Sequence, residues 1–273
     1  MALITVTANF GSGGEKIARR VSKELGLDFY NDPKLQEKAL AMGISHKDLE
    51  GFDEKAPRLF DRLFTTKPAL YLDLLGSVVY DVASKGNGVI VGHGSQIFLK
   101  DFNCAFHIMI HASEETRSRR LTRENKISEE AAADLVRRMD KRLEDFSRYA
   151  FKRDWNDPSG YDLMINLDKI GEDWAVKLIT ELAGSDEIKT CSLKALEEME
   201  ASSLQRKVEA VMIKNDLTTP FTNITVHVHE RGKVHLTGWT YGEEERSQAI
   251  KLARDVPGVS QVTSDIIVQH IGE

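Results

Sequence analysis

Three closely spaced glycines, Gly11, Gly13 and Gly14, follow the apolar run LITV and are the first residues that could do chemistry. A loop between a buried strand and a helix offers backbone N–H groups at the positive end of the helix dipole. Glycine lets such a loop approach a ligand closely and adopt positive φ. The segment TANFGSGGEKIA, from Thr7 to Ala18, therefore predicts a phosphate-binding loop, and the alternative is a plain tight turn.

The loop departs from the full motif of nucleoside triphosphate-binding proteins, GxxxxGK[ST]. When Gly13 is matched to the second motif glycine, Ala8 stands at the first glycine, Gly14 at the lysine and Glu15 at the hydroxyl. Lys16 lies two residues beyond the lysine position and could swing back from the first helical turn. The predicted cofactor-binding residues are Gly11, Ser12, Gly13, Gly14 and Lys16.

Positive charge is concentrated between Arg117 and Arg153, where twelve lysines and arginines stand against seven acidic residues. The whole chain carries a net charge of −6, which argues against general nucleic-acid binding. The basic segment predicts either an anion-binding face or a solvated helix face with i,i+4 ion pairs such as Glu115 with Arg119.

The elements that must position these residues alternate along the first part of the chain. Apolar runs at LITVT, GVIVG (88–92), FHIMIH (106–111) and DLMINL (162–167) predict strands of a buried parallel sheet. Helical spacing joins them, with Ile17, Val21 and Leu25 on one face of a helix that ends at Gly26. The pattern predicts an α/β domain over 1–183.

The character of the sequence changes after residue 183. An acidic, polar stretch predicts a linker over 184–200, and the following residues predict a small α+β domain over 201–273 with the order α-β-β-α-β. Its two central strands, NITVHVHE and KVHLTGW, alternate with period two around the turn RG.

The stretches ITVTANFGSGGEKIARRVSKELGLDFY, VIVGHGSQIFL, HASEETRSRRL and DWNDPSGYDLMINLDKIG together resemble the cytidylate-kinase-like family of P-loop nucleoside monophosphate kinases. The stretch GKVHLTGWTYGEEERSQAIKLARDVPGVSQVTSDIIV resembles a BON domain. The first resemblance implies a P-loop kinase-like, five-stranded parallel sheet with an arginine-bearing helical lid over 114–153 and an acceptor-nucleotide region over 32–85. It implies ATP and Mg²⁺ as cofactors and CMP or a similar monophosphate as acceptor.

The same resemblance points to a catalytic set and to three substitutions. Family members usually carry SRQxGSGG at the loop, GRG after the third strand, and an arginine three residues after the lid aspartate. This chain has Thr7-Ala8-Asn9, His93 and Leu143 at those places. The catalytic candidates that remain are Arg120, Asp140, Arg142 and Arg148. Asp140 could orient a lid arginine or be surface charge.

Other chemistry is less favoured by the residues. His227, His229 and His235 could share one sheet face as metal ligands, but no acid or cysteine accompanies them, so we expect no metal site. The segment GHGSQ lacks the second glycine of a hydrolase nucleophile turn. Cys104 and Cys191 are too few for a disulfide framework, and we expect two reduced thiols.

The sequence therefore predicts a nucleotide-binding protein of the cytidylate-kinase-like type, acting on ATP and CMP or similar, with weak or lost phosphotransfer. The alternative is a non-catalytic regulatory or scaffold protein that senses a nucleotide or other phosphate ligand and signals through the BON domain. That domain has a protein or small-ligand partner. The N-terminus lacks an export signal and no segment is apolar enough to span a membrane, so we expect a cytoplasmic protein with no nucleic-acid partner.

Overall fold

The computed structural model describes residues 2–45, 48, 68–219 and 222–269, which form two compact units. The first unit holds residues 2–37 and 85–192. The second holds 38–45, 48, 68–84, 193–219 and 222–269. Each unit has its own sheet and its own hydrophobic core. The domain limits expected from the sequence, 1–183, 184–200 and 201–273, stay predictions.

A five-stranded parallel sheet in the order β2-β3-β1-β4-β5 forms the centre of the first unit. This confirms the predicted α/β fold. The central strands β1 and β4 are buried almost throughout, as their continuous apolar runs predict. Strand β5 lies at an edge and is only partly buried, and the two-residue strand β2 was not predicted. The strands are β1 Leu3–Ala8, β2 Phe29–Tyr30, β3 Gly88–Val91, β4 Ala105–His111 and β5 Leu163–Asn166.

The helices of the first unit follow the strands closely. Helix α1 ends at Gly26, which has φ 65° and caps the last turn, as predicted from its sequence position. Ile17 and Val21 on its inner face are fully buried in the core. The helices that begin within this unit are α1 Gly14–Leu25, α2 Asp32–Ala41, α4 Ser95–Phe98, α5 Glu114–Asn125, α6 Glu129–Phe146 and α7 Glu172–Ala183.

Helices α5 and α6 are the two helices of the predicted lid, and each begins at a serine. The Ser113 hydroxyl accepts a hydrogen bond from the N–H of Thr116, and the Ser128 hydroxyl accepts one from Ala131. A short π-helical turn over Ser147–Phe151 continues α6. Met139 and Phe146 are the buried residues on the inner face of the C-terminal half of α6. The predicted acceptor region, 32–85, includes residues 46–47 and 49–67, which lie outside the described residues.

The second unit contains a four-stranded sheet in the order β6-β7-β8-β9, in which β8 and β9 are parallel. Helices α8 and α9 pack on one face of it, as the predicted α-β-β-α-β module requires. The elements are α8 Leu193–Lys214, β6 Thr218–Thr219, β7 Thr222–Glu230, β8 Lys233–Thr240, α9 Glu243–Arg254 and β9 Gln261–Val268. Helix α3, Pro68–Ala83, also belongs to this unit, and its Asp73 accepts a hydrogen bond from Arg206 of α8 at 2.6 Å.

The prediction of two reduced thiols is wrong in this structure, because Cys104 and Cys191 form a disulfide across 87 residues of sequence. Cys104 precedes β4 and Cys191 follows α7, so the fold brings together two cysteines whose proximity no sequence pattern indicates. The number of cysteines in a sequence does not indicate which of them lie close together in the folded chain. Within the ranges that the structure describes, no helix has both the length and the apolarity needed to cross a membrane.

Candidate functional site

The glycine loop connects the end of β1 with the start of α1, which is the geometry that the sequence predicts. Gly11 has φ 79° and Gly13 has φ 88°, a region that residues with side chains seldom adopt. Gly13 is the N-cap of α1, so the N–H groups of the first helical turn are directed out of the helix beside it. The buried Ser12 hydroxyl accepts a hydrogen bond from the N–H of Gly14 at 3.3 Å and stabilises the turn.

Gly14 has no room for a side chain. A Cβ at this position would approach the Ala8 Cβ at least about 1 Å closer than carbon atoms normally come. Ala8 is the last residue of β1 and Gly14 the first of α1, so neither Cβ can move without moving backbone. The motif lysine is therefore missing for a steric reason, since the Ala8 methyl group occupies the space into which a residue at position 14 would project its Cβ.

A cavity of about 400 Å³ opens beside the loop. Gly11, Gly13 and Gly14 line it, together with aromatic side chains. Among the described residues that line this cavity, Arg120 is the one arginine or lysine, whereas Glu15, Asp32 and Glu124 are acidic. The aromatic residues are Phe10, Phe146, Phe151 and Trp155.

Arg120 is the predicted catalytic residue that the structure places at the loop. Its guanidinium lies against Gly13, where an added Cβ would be 2.7 Å from the Arg120 Cζ. The Nη1 of Arg120 also forms an ion pair with Glu172 Oε1 at 2.7 Å. Lys16 binds the other oxygen of the same carboxylate at 2.8 Å and does not line the cavity. Sequence reasoning missed Glu172, because its role depends on α7 packing beside α1.

Burial tends to raise the pKa of Glu172, but the hydrogen bonds and charges of Lys16 and Arg120 outweigh it and hold that pKa below its ordinary value. The carboxylate is therefore ionised at neutral pH. The three side chains together carry a net charge of +1 next to the glycine loop.

The other predicted catalytic residues lie away from this cavity. Asp140 accepts two hydrogen bonds from Arg117, each at 2.7 Å, and is therefore paired with an arginine of the predicted lid. Arg117 in turn donates to the Phe10 carbonyl oxygen at 3.2 Å, which ties α6 to the glycine loop. Arg142 lies 3.9 Å from the sulfur of Met139, and Arg148 is exposed and paired with Glu144 at 2.6 Å.

Much of the basic segment forms surface ion pairs. Arg119 pairs with Glu115 at 2.7 Å, and Lys141 pairs with Asp145 at 2.6 Å, both at i,i+4 spacing. Such exposed pairs contribute little to stability. This part of the charge cluster fits the solvated helix face that the sequence analysis kept as an alternative.

Residues at all three substituted family places line the cavity, namely Thr7-Ala8-Asn9, His93 and Leu143. Leu143 contributes apolar surface, and His93 is fully buried with φ 59° and its Nε2 in contact with Asp32 Oδ1. The neighbouring Gln96 donates weakly to the Tyr161 hydroxyl at 3.4 Å, while its Oε1 has no hydrogen-bond partner among the described residues.

The three histidines of the second unit lie close to one another on its sheet. His227 and His235 are paired across β7 and β8, and the rings of His227 and His229 stack at 6.0 Å. His227 hydrogen-bonds Thr237, and His235 contacts Thr263 and Asp265. In the part of the chain that the structure describes, no group of three potential ligands is arranged to hold a metal ion.

Comparison with known proteins places this geometry in a family. The sequence model of the cytidylate kinase-like family matches residues 3–169, and that of the BON domain matches residues 201–270. The chain is 28% identical over 172 residues to a cytidylate kinase of Methanothrix thermoacetophila, covering 62% of this chain and 91% of that protein. A cytidylate kinase of Pyrobaculum aerophilum is 26% identical over 181 residues, covering 65% and 90%.

A solved structure shares the fold. The crystal structure of an uncharacterised protein from Eubacterium ventriosum aligns with a TM-score of 0.53 at 23% identity, covering 67% of this chain and 97% of that one.

Proposed function

Because the chain belongs to the cytidylate kinase-like family and carries a C-terminal BON domain, we propose that it binds a nucleotide at the glycine loop and transfers phosphoryl groups weakly or not at all. The observation that supports binding is the loop itself, with two positive-φ glycines at the N-terminus of α1 beside a 400 Å³ cavity. Backbone N–H groups supply much of a phosphate's contacts whatever the side chains.

The proposal of weak transfer rests on the charges. A single well-placed cation is worth about 10³ to 10⁵ in the rate of phosphoryl transfer. Arg120 is the only lysine or arginine among the described residues that line the cavity, and it is paired with Glu172. Ala8, Gly14, His93 and Leu143 stand where motif or family members carry other residues, and none of the four is a lysine or an arginine.

The loop fits the phosphates of ATP, since Gly14 leaves the close approach open and Gly13 sits at the helix N-terminus. The fit to Mg²⁺ is weaker, because Glu15 replaces the motif hydroxyl. When bound, ATP would supply the γ-phosphoryl group, and the chain's own part is to bind and orient it. We also propose that the acceptor is CMP or a similar monophosphate.

A second candidate is a non-catalytic sensor of a nucleotide or other phosphate ligand that signals through the BON domain to a protein or small-ligand partner. The acids of the cavity favour this candidate, because Glu15, Asp32 and Glu124 would repel a second anionic substrate. A cytoplasmic location remains part of the proposal. The disulfide is the observation that weighs against it, since such bonds are rare in reducing compartments.

Calorimetric titration of the purified protein with ATP-Mg, CMP and dCMP, followed by an ADP-release assay on the same samples, tests these candidates. Binding with CMP-dependent ADP release supports the kinase, and binding without turnover supports the sensor. Absence of binding at millimolar nucleotide would contradict both.

Two arginine variants sharpen this experiment. Arg120→Met should weaken ATP binding at least about tenfold, because it removes the cation at Gly13. Arg148→Met is the matched control, since Arg148 is exposed and paired outside the cavity. If Arg148→Met lowers ADP release while ATP binding is kept, Arg148 acts in the lid as the sequence predicts.

A further inference from the structure

Glu172 occupies an unusual place relative to the glycine loop. It is the first residue of α7, and its two carboxylate oxygens bind the two cations that flank the loop, Arg120 at 2.7 Å and Lys16 at 2.8 Å. The Arg120 guanidinium lies directly against Gly13. Lysine and arginine bind carboxylate oxygens and phosphate oxygens through the same charge-assisted hydrogen bonds. The Glu172 carboxylate therefore makes the contacts with Lys16 and Arg120 that a phosphate would make.

The electrostatics of the arrangement favour replacement of the Glu172 carboxylate by a bound phosphate. The side chains of Arg120 and Glu172 are 20% and 21% exposed to solvent, and that of Lys16 is 66% exposed, so water and solutes reach the ion pairs. An ion pair with an exposed partner, such as Lys16–Glu172, is held by little free energy. A di- or triphosphate carries more negative charge than one carboxylate, and the loop N–H groups add to its binding.

We propose that the Glu172 carboxylate is an internal competitor for the phosphate site. In the ligand-free protein it occupies Arg120 and Lys16, and a phosphate-bearing ligand binds by exchanging with it. This inference rests on the proposed nucleotide binding and assigns a role to a residue that lies outside the loop motif.

The test compares Glu172→Gln with Asp173→Asn. Asp173 is the next residue of the same helical turn, and it pairs with Arg20 at 2.7 Å rather than with Lys16 or Arg120. Each substitution removes one negative charge from the N-terminus of α7, so the difference between them isolates the contact with the two cations. The ligands are inorganic tripolyphosphate and ATP, each titrated calorimetrically at low salt; tripolyphosphate separates charge recognition from recognition of the base.

Glu172→Gln should tighten the binding of both ligands by about 3- to 30-fold, which is the range expected for removing one charge about 6 Å away at a partly exposed site. Asp173→Asn should change it by less than about twofold, because that side chain is 89% exposed and screened. In an Arg120→Met background the gain from Glu172→Gln should shrink, since one of the two contested cations is gone. Glu172→Asp, which keeps the charge but shortens the side chain, should give an intermediate gain and serves if Glu172→Gln does not fold.

The outcomes separate this inference from the proposed function. If the wild-type protein binds and Glu172→Gln binds equally or more weakly, Glu172 positions Arg120 instead of competing, and the inference fails alone. If neither protein binds tripolyphosphate or ATP, the phosphate site and the inference fall together. If only Glu172→Gln binds, the competition is stronger than estimated and the inference stands.

Discussion

Replacing Gly14 by alanine tests the steric relation at the centre of the site. In a helix an exposed glycine-to-alanine change stabilises by roughly 0.5 to 1 kcal/mol. Here the new Cβ would lie at least about 1 Å inside normal contact with the Ala8 Cβ, and both atoms are attached directly to backbone. Overpacking of this kind costs about 1 to 3 kcal/mol, so the net expectation is a destabilisation of about 1 to 2 kcal/mol.

The second variant of this pair is Ala8→Gly/Gly14→Ala. Without the Ala8 methyl group, the nearest atoms to the new Cβ are Ile110 Cβ at 3.4 Å and Ser12 Oγ at 3.6 Å, which are ordinary contacts. The double variant should therefore be at least as stable as Ala8→Gly alone. Gly14→Ala should therefore destabilise the wild-type protein but not the Ala8→Gly protein. The coupling free energy between the two substitutions is then at least about 1 kcal/mol.

Urea unfolding followed by tryptophan fluorescence in a Trp239→Phe background measures this coupling. The remaining tryptophans, Trp155 and Trp174, both belong to the first unit, so the signal reports the unit that contains the loop. A Gly14→Ala protein as stable as the wild type, or one that Ala8→Gly fails to rescue, would refute the steric explanation of the missing lysine.

Three further expectations concern charge, pH and redox state. Ala8→Arg adds the cation that family members carry at this place and should tighten ATP binding about tenfold by titration, with Ala8→Gln as the uncharged control. Hydrogen bonds from the Ser113 N–H, then from the Thr116 and Ser113 side chains, lower the pKa of Asp168 to about 2. The ionised Asp168 therefore stabilises the folded protein fully above about pH 4, and this contribution is lost as the pH falls toward 2. Asp168→Asn should weaken the fall of the thermal unfolding temperature between about pH 4 and pH 2, and an unchanged fall would contradict this prediction. Reducing the Cys104–Cys191 disulfide should lower the free energy of unfolding by about 2 to 5 kcal/mol, measured against Cys104→Ser/Cys191→Ser, which should not respond to reductant.

The sequence by itself determined the fold class, because local signals suffice for it. Buried strands read as continuous apolar runs, α1 ends where Gly26 can adopt positive φ, and the second unit alternates with period two around its hairpin. The glycine loop was also evident, since the spacing of Gly11 and Gly13 between a strand and a helix has few other uses. The edge strand β5 was predicted from its apolar run, whereas β2 was not, because it has only two residues.

Tertiary structure alone decided what each charged side chain does. Arg120, Arg142 and Arg148 look equivalent in the sequence, yet only Arg120 reaches the loop, because helix packing and not spacing sets which face of a helix meets another element. The pairing of Glu172 with Lys16 and Arg120 joins three elements, and the Cys104–Cys191 disulfide spans 87 residues. Such contacts depend on how far the folded chain separates two side chains, and the spacing of residues along the sequence carries no record of that distance.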